Sequence, residues 1–135
     1  MAAKVKYDEY KERNLEFIEE YRSQVGVKEL FNGVLYREII KGKGPKPTPK
    51  GYVTVKYKGS LINGKVFDST YKSGRAAQFK LNELILGWRT ALAQMQVGSR
   101  WEVVIPFNLG YGARGAGSIK PFSTLIFDIQ LIGVE

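Results

Sequence analysis

Three stretches of this chain alternate apolar and polar residues with a period of two: "YVTVKYKGS" (52–60), "SRWEVVIPF" (99–107) and "STLIFDIQLIGV" (123–134). Successive side chains of a strand point to opposite faces, so such segments bury one face and wet the other. In the first, Val53, Val55 and Tyr57 share one face, and Thr54, Lys56 and Lys58 the other. "VLYREII" (34–40) and "AAQFKL" (76–81) read as further strands. In "NGKVFDST" (63–70), Asn63-Gly64 is a hairpin signal, because both residues accept positive φ, and Val66 and Phe67 follow as strand residues. Two segments have helical spacing instead. "VKYDEYKERNLEFIEEYRSQ" (5–24) leads to an apolar stripe of Tyr10, Phe17, Ile18, Tyr21 and Val25, with Gly26 as its stop. "ELILGWRTALAQM" (83–95) puts Leu84, Ile85, Trp88 and Leu92 on one face, with Asn82 as the expected N-cap and Glu83 in the first turn. "KGKGPKPTPK" (41–50) reads as an exposed loop, and "NLGYGARGAGSIKP" (108–121) as a glycine-rich one. The pattern predicts an α+β fold: an antiparallel, twisted sheet of about five strands wrapped on one central helix, plus an N-terminal helix.

Composition narrows the chemistry. At 135 residues the chain is one domain with a short appendage, large enough to form a core without covalent staples. It has no cysteine and no histidine. That removes a thiolate nucleophile, thiolate and imidazole metal ligands, the usual general base and the Ser-His-Asp triad. The expected chemistry therefore needs neither nucleophile nor metal, and no cofactor is expected. No run of about 18 apolar residues is present, so no membrane span is expected. "MAAKVKYDEY" lacks the apolar core of a signal peptide, so the expected compartment is the cytoplasm, or the periplasm or cell surface if the chain is a processed precursor. Residues 1–32 carry six Lys and Arg against seven acids, net −1, whereas 33–135 carry fifteen against six, net +9. A basic surface draws anionic partners at low salt, but no nucleic-acid motif accompanies it, and a solvated lysine surface is the simpler reading.

Asp68 is a lone carboxylate directly after an aromatic at a strand end. From position alone it starts the next turn, bonding the backbone near Ser69 and Thr70. The aromatics Tyr57, Phe67, Phe79, Trp88, Tyr111 and Phe127 likewise read first as core.

The order of motifs changes this. "VTVKYKGSLINGKVFDST", "FKLNELILGWRTALAQMQVGS", "VIPFNLGYGARG" and "STLIFDIQLI", in succession, resemble the tacrolimus-binding protein (FKBP) family of peptidyl-prolyl cis-trans isomerases. The resemblance covers 33–135, and the helix before "NGVLYREIIKGKG" is similar to bacterial members with a short N-terminal helical extension, here 1–32. It implies an apolar pocket floored by Trp88 and walled by Tyr57, Phe67, Phe79, Leu84, Ile85 and Phe127. Tyr111 would reach a substrate carbonyl, the Ile85 N–H would hold a second one, and Ile119 would close the loop side. Asp68 would face the twisting amide, so the resemblance favours a functional role for it over the turn. Implied partners are proline-containing peptides and unfolded proteins, with tacrolimus and rapamycin as inhibitors. The alternative is a non-catalytic proline-peptide-binding or chaperone module.

Two departures bear on preference and drug affinity: Ala77 stands where small eukaryotic members have an aromatic, and the glycine-rich loop is short and free of histidine. The N-terminal stripe must be covered, either in cis or by a second copy; a monomer is favoured over a helix-mediated dimer. The acids Glu12, Glu16, Glu19 and Glu20 are expected to meet the basic domain surface. With no pocket position in 1–32, deletion of 1–30 is expected to leave small-peptide activity nearly intact.

Overall fold

A computed structural model describes the backbone of residues 2–71 and 73–135 and the side chains of 7–71 and 73–135. The chain runs α1 (Ala2–Arg22), β1 (Lys28–Glu29), β2 (Leu35–Ile40), β3 (Tyr52–Ser60), β4 (Val66–Ser69), β5 (Ala77–Lys80), α2 (Leu86–Gln94), β6 (Arg100–Ile105) and β7 (Leu125–Val134). All strands join one antiparallel sheet in the order β1-β2-β6-β7-β3-β4, with β5 also paired to β3. The sheet thus has seven strands against the five or so expected, the additions including the two-residue β1. So short a pairing leaves no periodic signal in the sequence.

The alternation read in 52–60 and 125–134 is the observed one. Val53, Val55 and Tyr57 from β3 and Leu125, Phe127, Ile129 and Leu131 from β7 are buried on one face. There they meet Trp88, Ala91 and Leu92 of α2 in the main core. The outer far edge of β3 is divided: β5 pairs with Tyr52–Val55 and β4 with Lys58–Ser60. The turn before β4 differs from the one expected, since of Asn63 and Gly64 only Gly64 has positive φ (+87°). Its N–H bonds Leu61 O at 2.9 Å, and Asn63 instead accepts from Lys65 N–H at 2.9 Å.

Helix α2 begins three residues later than the sequence suggests. Leu81 is buried and tied to Gly51 O at 3.0 Å, so Leu81–Glu83 closes a 3₁₀ turn, and Leu84 and Ile85 are extended before the helix starts. Asn82 is therefore not its N-cap; Ile85 holds that position without a side-chain cap bond.

Helix α1 covers the opposite face of the sheet, where Ile18 and Tyr21 pack on Leu35 and Val104. The expected stripe holds for Ile18 and Tyr21, with Phe17 and Tyr10 half-buried beside them, but not for Val25. Val25 is 96% exposed because the helix ends at Arg22, while Asn14 is 1% exposed and takes the inner position a turn before Ile18. Glu12, Glu16, Glu19 and Glu20 point to solvent rather than onto the basic domain, and Glu19 pairs with Arg22 within the helix. The 41–50 loop is also less free than expected: Gly42 N–H bonds the Ser99 hydroxyl at 3.0 Å, and Val97 N–H bonds Pro45 O at 3.0 Å.

One close approach fixes α2 on the sheet. A Cβ at Gly87 would lie 2.4 Å from Ile105 Cγ2, so the helix can sit this near β6 only with glycine there. Gly87→Ala is expected to cost about 1–3 kcal/mol through overpacking. The measurement is the urea midpoint at unchanged m-value; an unaltered midpoint would show the contact to be slack.

Candidate active site

Where α2 meets the concave face, the side chains do not fill the space. A cavity of about 330 Å³ remains, lined by Tyr57, Phe67, Asp68, Phe79, Glu83, Leu84, Ile85, Trp88, Tyr111 and Phe127. The lining is drawn from many pieces of backbone: Tyr57 from β3, Phe67 and Asp68 from β4, Phe79 from β5, Trp88 from α2 and Phe127 from β7. Glu83, Leu84 and Ile85 come from the turn before α2, and Tyr111 from the loop between β6 and β7.

Trp88 is 4% exposed at the bottom of the cavity. Its ring meets Tyr57, Phe127 and Phe79 edge-on, with centroids 4.9, 5.1 and 6.0 Å away. Phe67 stands against Phe127 in the same manner at 5.6 Å. These T-shaped contacts suit the ring quadrupoles and hold the rings without conformational slack. Gly59 makes room for two of them, since a Cβ there would lie 2.6 Å from Phe127 and 2.7 Å from Phe67.

A polar rim stands over this floor. The Tyr57 hydroxyl donates to Asp68 Oδ2 at 2.6 Å. Phe67 and its neighbour Asp68 both reach the cavity, which a regular strand would forbid; the register of β4 on β3 shifts between Gly59 and Ser60. Asp68 is thus engaged by Tyr57, while the following turn uses Ser69, whose hydroxyl accepts from Tyr71 N–H at 3.1 Å. Burial, then the hydrogen bond and charge of Asp68, push the Tyr57 phenol well above its ordinary range. Burial, then the charge of Asp68, also raise Tyr111. Both stay neutral hydroxyl donors at ordinary pH. On the opposite side, the first bond within α2 runs from Arg89 N–H to Ile85 O at 3.1 Å. The N–H groups from Ile85 to Trp88 therefore have no partner inside the helix.

Nine of the ten side chains singled out from the sequence line this one cavity. The exception is Ile119, which is 8% exposed in the main core and exchanges backbone bonds with Ala116 at 2.9 and 2.7 Å. The short loop folds back on itself there and draws Ile119 inward rather than over the mouth. Glu83 was missed as a lining residue, because reading it as the first turn of a helix pointed it away. Ala77 is not among the lining residues, so that wall is low.

Residues 44–132 match the family model described as FKBP-type peptidyl-prolyl cis-trans isomerase. The chain belongs to that family. It is 45% identical over 125 residues to the peptidyl-prolyl cis-trans isomerase Mip of Coxiella burnetii, covering 92% of this chain and 54% of that protein. It is 44% identical over 131 residues to the outer membrane protein MIP of Legionella longbeachae, covering 96% of this chain and 56% of that one. The chain thus spans about half the length of these curated relatives. The crystal structure of a peptidyl-prolyl cis-trans isomerase from Pseudomonas syringae pv. tomato superposes with a TM-score of 0.90 at 40% identity, covering 96% of both chains.

Under α1, burial and then the hydrogen bond to Glu102 push the Tyr21 phenol up as well, and the raised phenols carry a stability consequence. Above the ordinary tyrosine pKa of about 10, the unfolded chain releases protons that native Tyr57 and Tyr21 keep. The native state then binds more protons, so this contribution is complete below that pH and is lost as pH rises beyond it. Urea midpoints at pH 9 and pH 11 should fall more for the wild type than for a Tyr21→Phe/Tyr57→Phe double variant; equal falls would remove the tyrosines as the cause.

Proposed function

We propose that this protein is a peptidyl-prolyl cis-trans isomerase acting on X–Pro bonds of peptides and unfolded proteins. The observation that carries the reading is the aromatic cavity floored by Trp88, with a Tyr57–Asp68 pair and Tyr111 on its rim. Residues 33–135 form the catalytic unit in this reading, and 1–32 an extension that packs on it in cis and leaves the chain a monomer. Tacrolimus and rapamycin compete for the same cavity. Between cytoplasm and periplasm or surface, the similarity to the outer membrane protein MIP of Legionella longbeachae favours the second.

The chemistry follows from the amide. Rotation about a peptide bond crosses about 18–20 kcal/mol because resonance makes C–N partly double. At the twisted transition state that resonance is lost and the charge separation between oxygen and nitrogen falls. An apolar floor of aromatic rings therefore disfavours the planar, more polar ground state relative to the twisted one. The proline ring enters against Trp88, where Phe67, Phe79 and Phe127 exclude water. The Tyr111 hydroxyl donates to a substrate carbonyl, and the Ile85 N–H holds a second. Asp68, fixed by Tyr57, directs its charge at the rotating amide, and such preorganised groups need no reorganisation as the bond twists. No bond is made or broken, so the lack of histidine and cysteine is no handicap. A million-fold acceleration requires about 8 kcal/mol in all.

The purified protein is expected to speed cis-to-trans exchange of a short X–Pro peptide with apolar X, and rapamycin to block it. A rate equal to buffer, beside an active control enzyme, would leave only the binding-module alternative. Within the site, Trp88→Ala and Phe127→Ala are expected to lose both turnover and about 3–5 kcal/mol of stability. Asp68→Ala is expected to lose turnover with a much smaller shift in melting temperature. Equal unfolding of all three would return Asp68 to a structural role.

A further inference from the structure

The loop that carries Tyr111 is held at its far end by α1. Asn14 is 1% exposed, and both halves of its amide are used: Nδ2 donates to Tyr10 O at 2.7 Å, and Oδ1 accepts from Thr124 N–H at 2.7 Å. Thr124 and Ser123, themselves buried, end the loop where it enters β7. The Ser123 hydroxyl donates to Lys120 O at 2.8 Å, so the 2.8 Å bond between Ser123 and Tyr10 takes its proton from the Tyr10 hydroxyl. Next to them, Phe122 is the one described non-glycine residue with positive φ, +65°. A bulky side chain rarely adopts that conformation unless its surroundings impose it. Here its ring packs edge-on against Phe107 at 5.1 Å, with the Lys11 ammonium 4.9 Å above it. Its N–H bonds Gly112 O at 3.0 Å, at the residue directly after Tyr111. Two hydrogen bonds and a short run of backbone therefore link Asn14 to Tyr111.

We propose that Asn14 is a positioning residue: through Thr124 and Phe122 it sets the placement of Tyr111, so the helix outside the cavity governs turnover within it. This rests on the isomerase reading for its effect on rate. Directional hydrogen bonds, unlike the apolar contacts of Ile18 and Tyr21 on the sheet, fix where a loop sits as well as where the helix sits. A leucine at 14 has similar bulk but leaves the Thr124 N–H buried and unpaired, a penalty the loop avoids by moving. On this reading, removal of residues 1–30, which line no part of the cavity, releases the loop and lowers turnover.

The test uses the full chain as wild type, Asn14→Leu, Tyr10→Phe and Ile18→Ala. Ile18 packs on the sheet, so its variant serves as a control for stability alone. Exchange NMR of an X–Pro peptide at 10 °C separates kcat from KM, and amide hydrogen exchange reads the loop at Gly112 and Phe122. Asn14→Leu is expected to lower kcat about tenfold at nearly constant KM, less than the hundredfold that a 1 Å misplacement can cost. Tyr10→Phe, which keeps its ring and so its packing, is expected to lower kcat less, and both variants to speed exchange at the two amides. Ile18→Ala is expected to lower the urea midpoint with kcat unchanged. Retained kcat in both loop variants, or a loss of kcat in Ile18→Ala in proportion to its lost stability, would overturn the proposal. A wild type without turnover would instead sink the isomerase reading. Exchange would then still decide the positioning: unchanged rates at Gly112 and Phe122 in Asn14→Leu overturn it whatever the activity.

Discussion

The close seating of α2 in the concave face of the sheet is the contact on which the remainder depends. Gly87 lets the helix backbone approach Ile105, and the next residue, Trp88, is thereby pressed among Tyr57, Phe79 and Phe127. A helix standing off by even the width of a methyl group would lift that ring from its neighbours. The cavity above it survives for a related reason. Protein interiors close around voids when their side chains can move, and flexible residues here would collapse into the space. Aromatic rings have few torsions, and edge-to-face contacts lock those they have, so the lining keeps its shape while open to solvent.

The placement of charge follows from the same geometry. A carboxylate at the level of Trp88 would lose its hydration and be held neutral or drive the site apart. Asp68 instead lies on the edge strand β4 at the exposed rim, where water and the Tyr57 hydroxyl both solvate it. Its field nevertheless acts on whatever fills the apolar cavity, where Coulomb interactions are stronger than in water. Tyr57 bears the cost of this arrangement: it is buried next to the negative charge, and its phenol is harder to ionise as a result.

Most of the fold was legible because half-burial writes a period of two into β3 and β7, while in β6 the period breaks at Val104, which is buried under α1. The gathering of the cavity residues was a different matter. No periodicity unites Tyr57, Phe67, Phe79, Trp88, Tyr111 and Phe127; only the resemblance in motif order brought them together. What the sequence hid was hidden for physical reasons. The start of α2 is set by the Leu81–Gly51 backbone bond, a long-range tie that overrides the local capping preference of Asn82. Glu83 faces the cavity as a consequence of that delayed start. Ile119 turned inward because its loop closes on Ala116. Asn14 escaped notice because an apolar stripe is found by looking for apolar residues, and a buried amide with both ends satisfied breaks the pattern without destabilising the helix.

That exception separates the two faces of the sheet by the kind of contact each uses. The inner face, with α2, is almost wholly apolar, and such packing specifies volume and shape more strongly than direction. The outer face, with α1, adds to a small apolar cluster a set of directed links: Asn14 to Thr124, Tyr10 to Ser123 and Tyr21 to Glu102 at 2.8 Å. The loop between β6 and β7 leaves from the first kind of environment and returns through the second. A loop with four glycines between Leu109 and Ser118 has little stiffness of its own, since each of them accepts many backbone conformations. Its shape must come from where its ends are tied, and the end beside α1 is tied by hydrogen bonds that specify orientation. Placing a hydroxyl such as that of Tyr111 over an open cavity needs that kind of constraint, because burial alone would draw the ring inward, as it does Ile119.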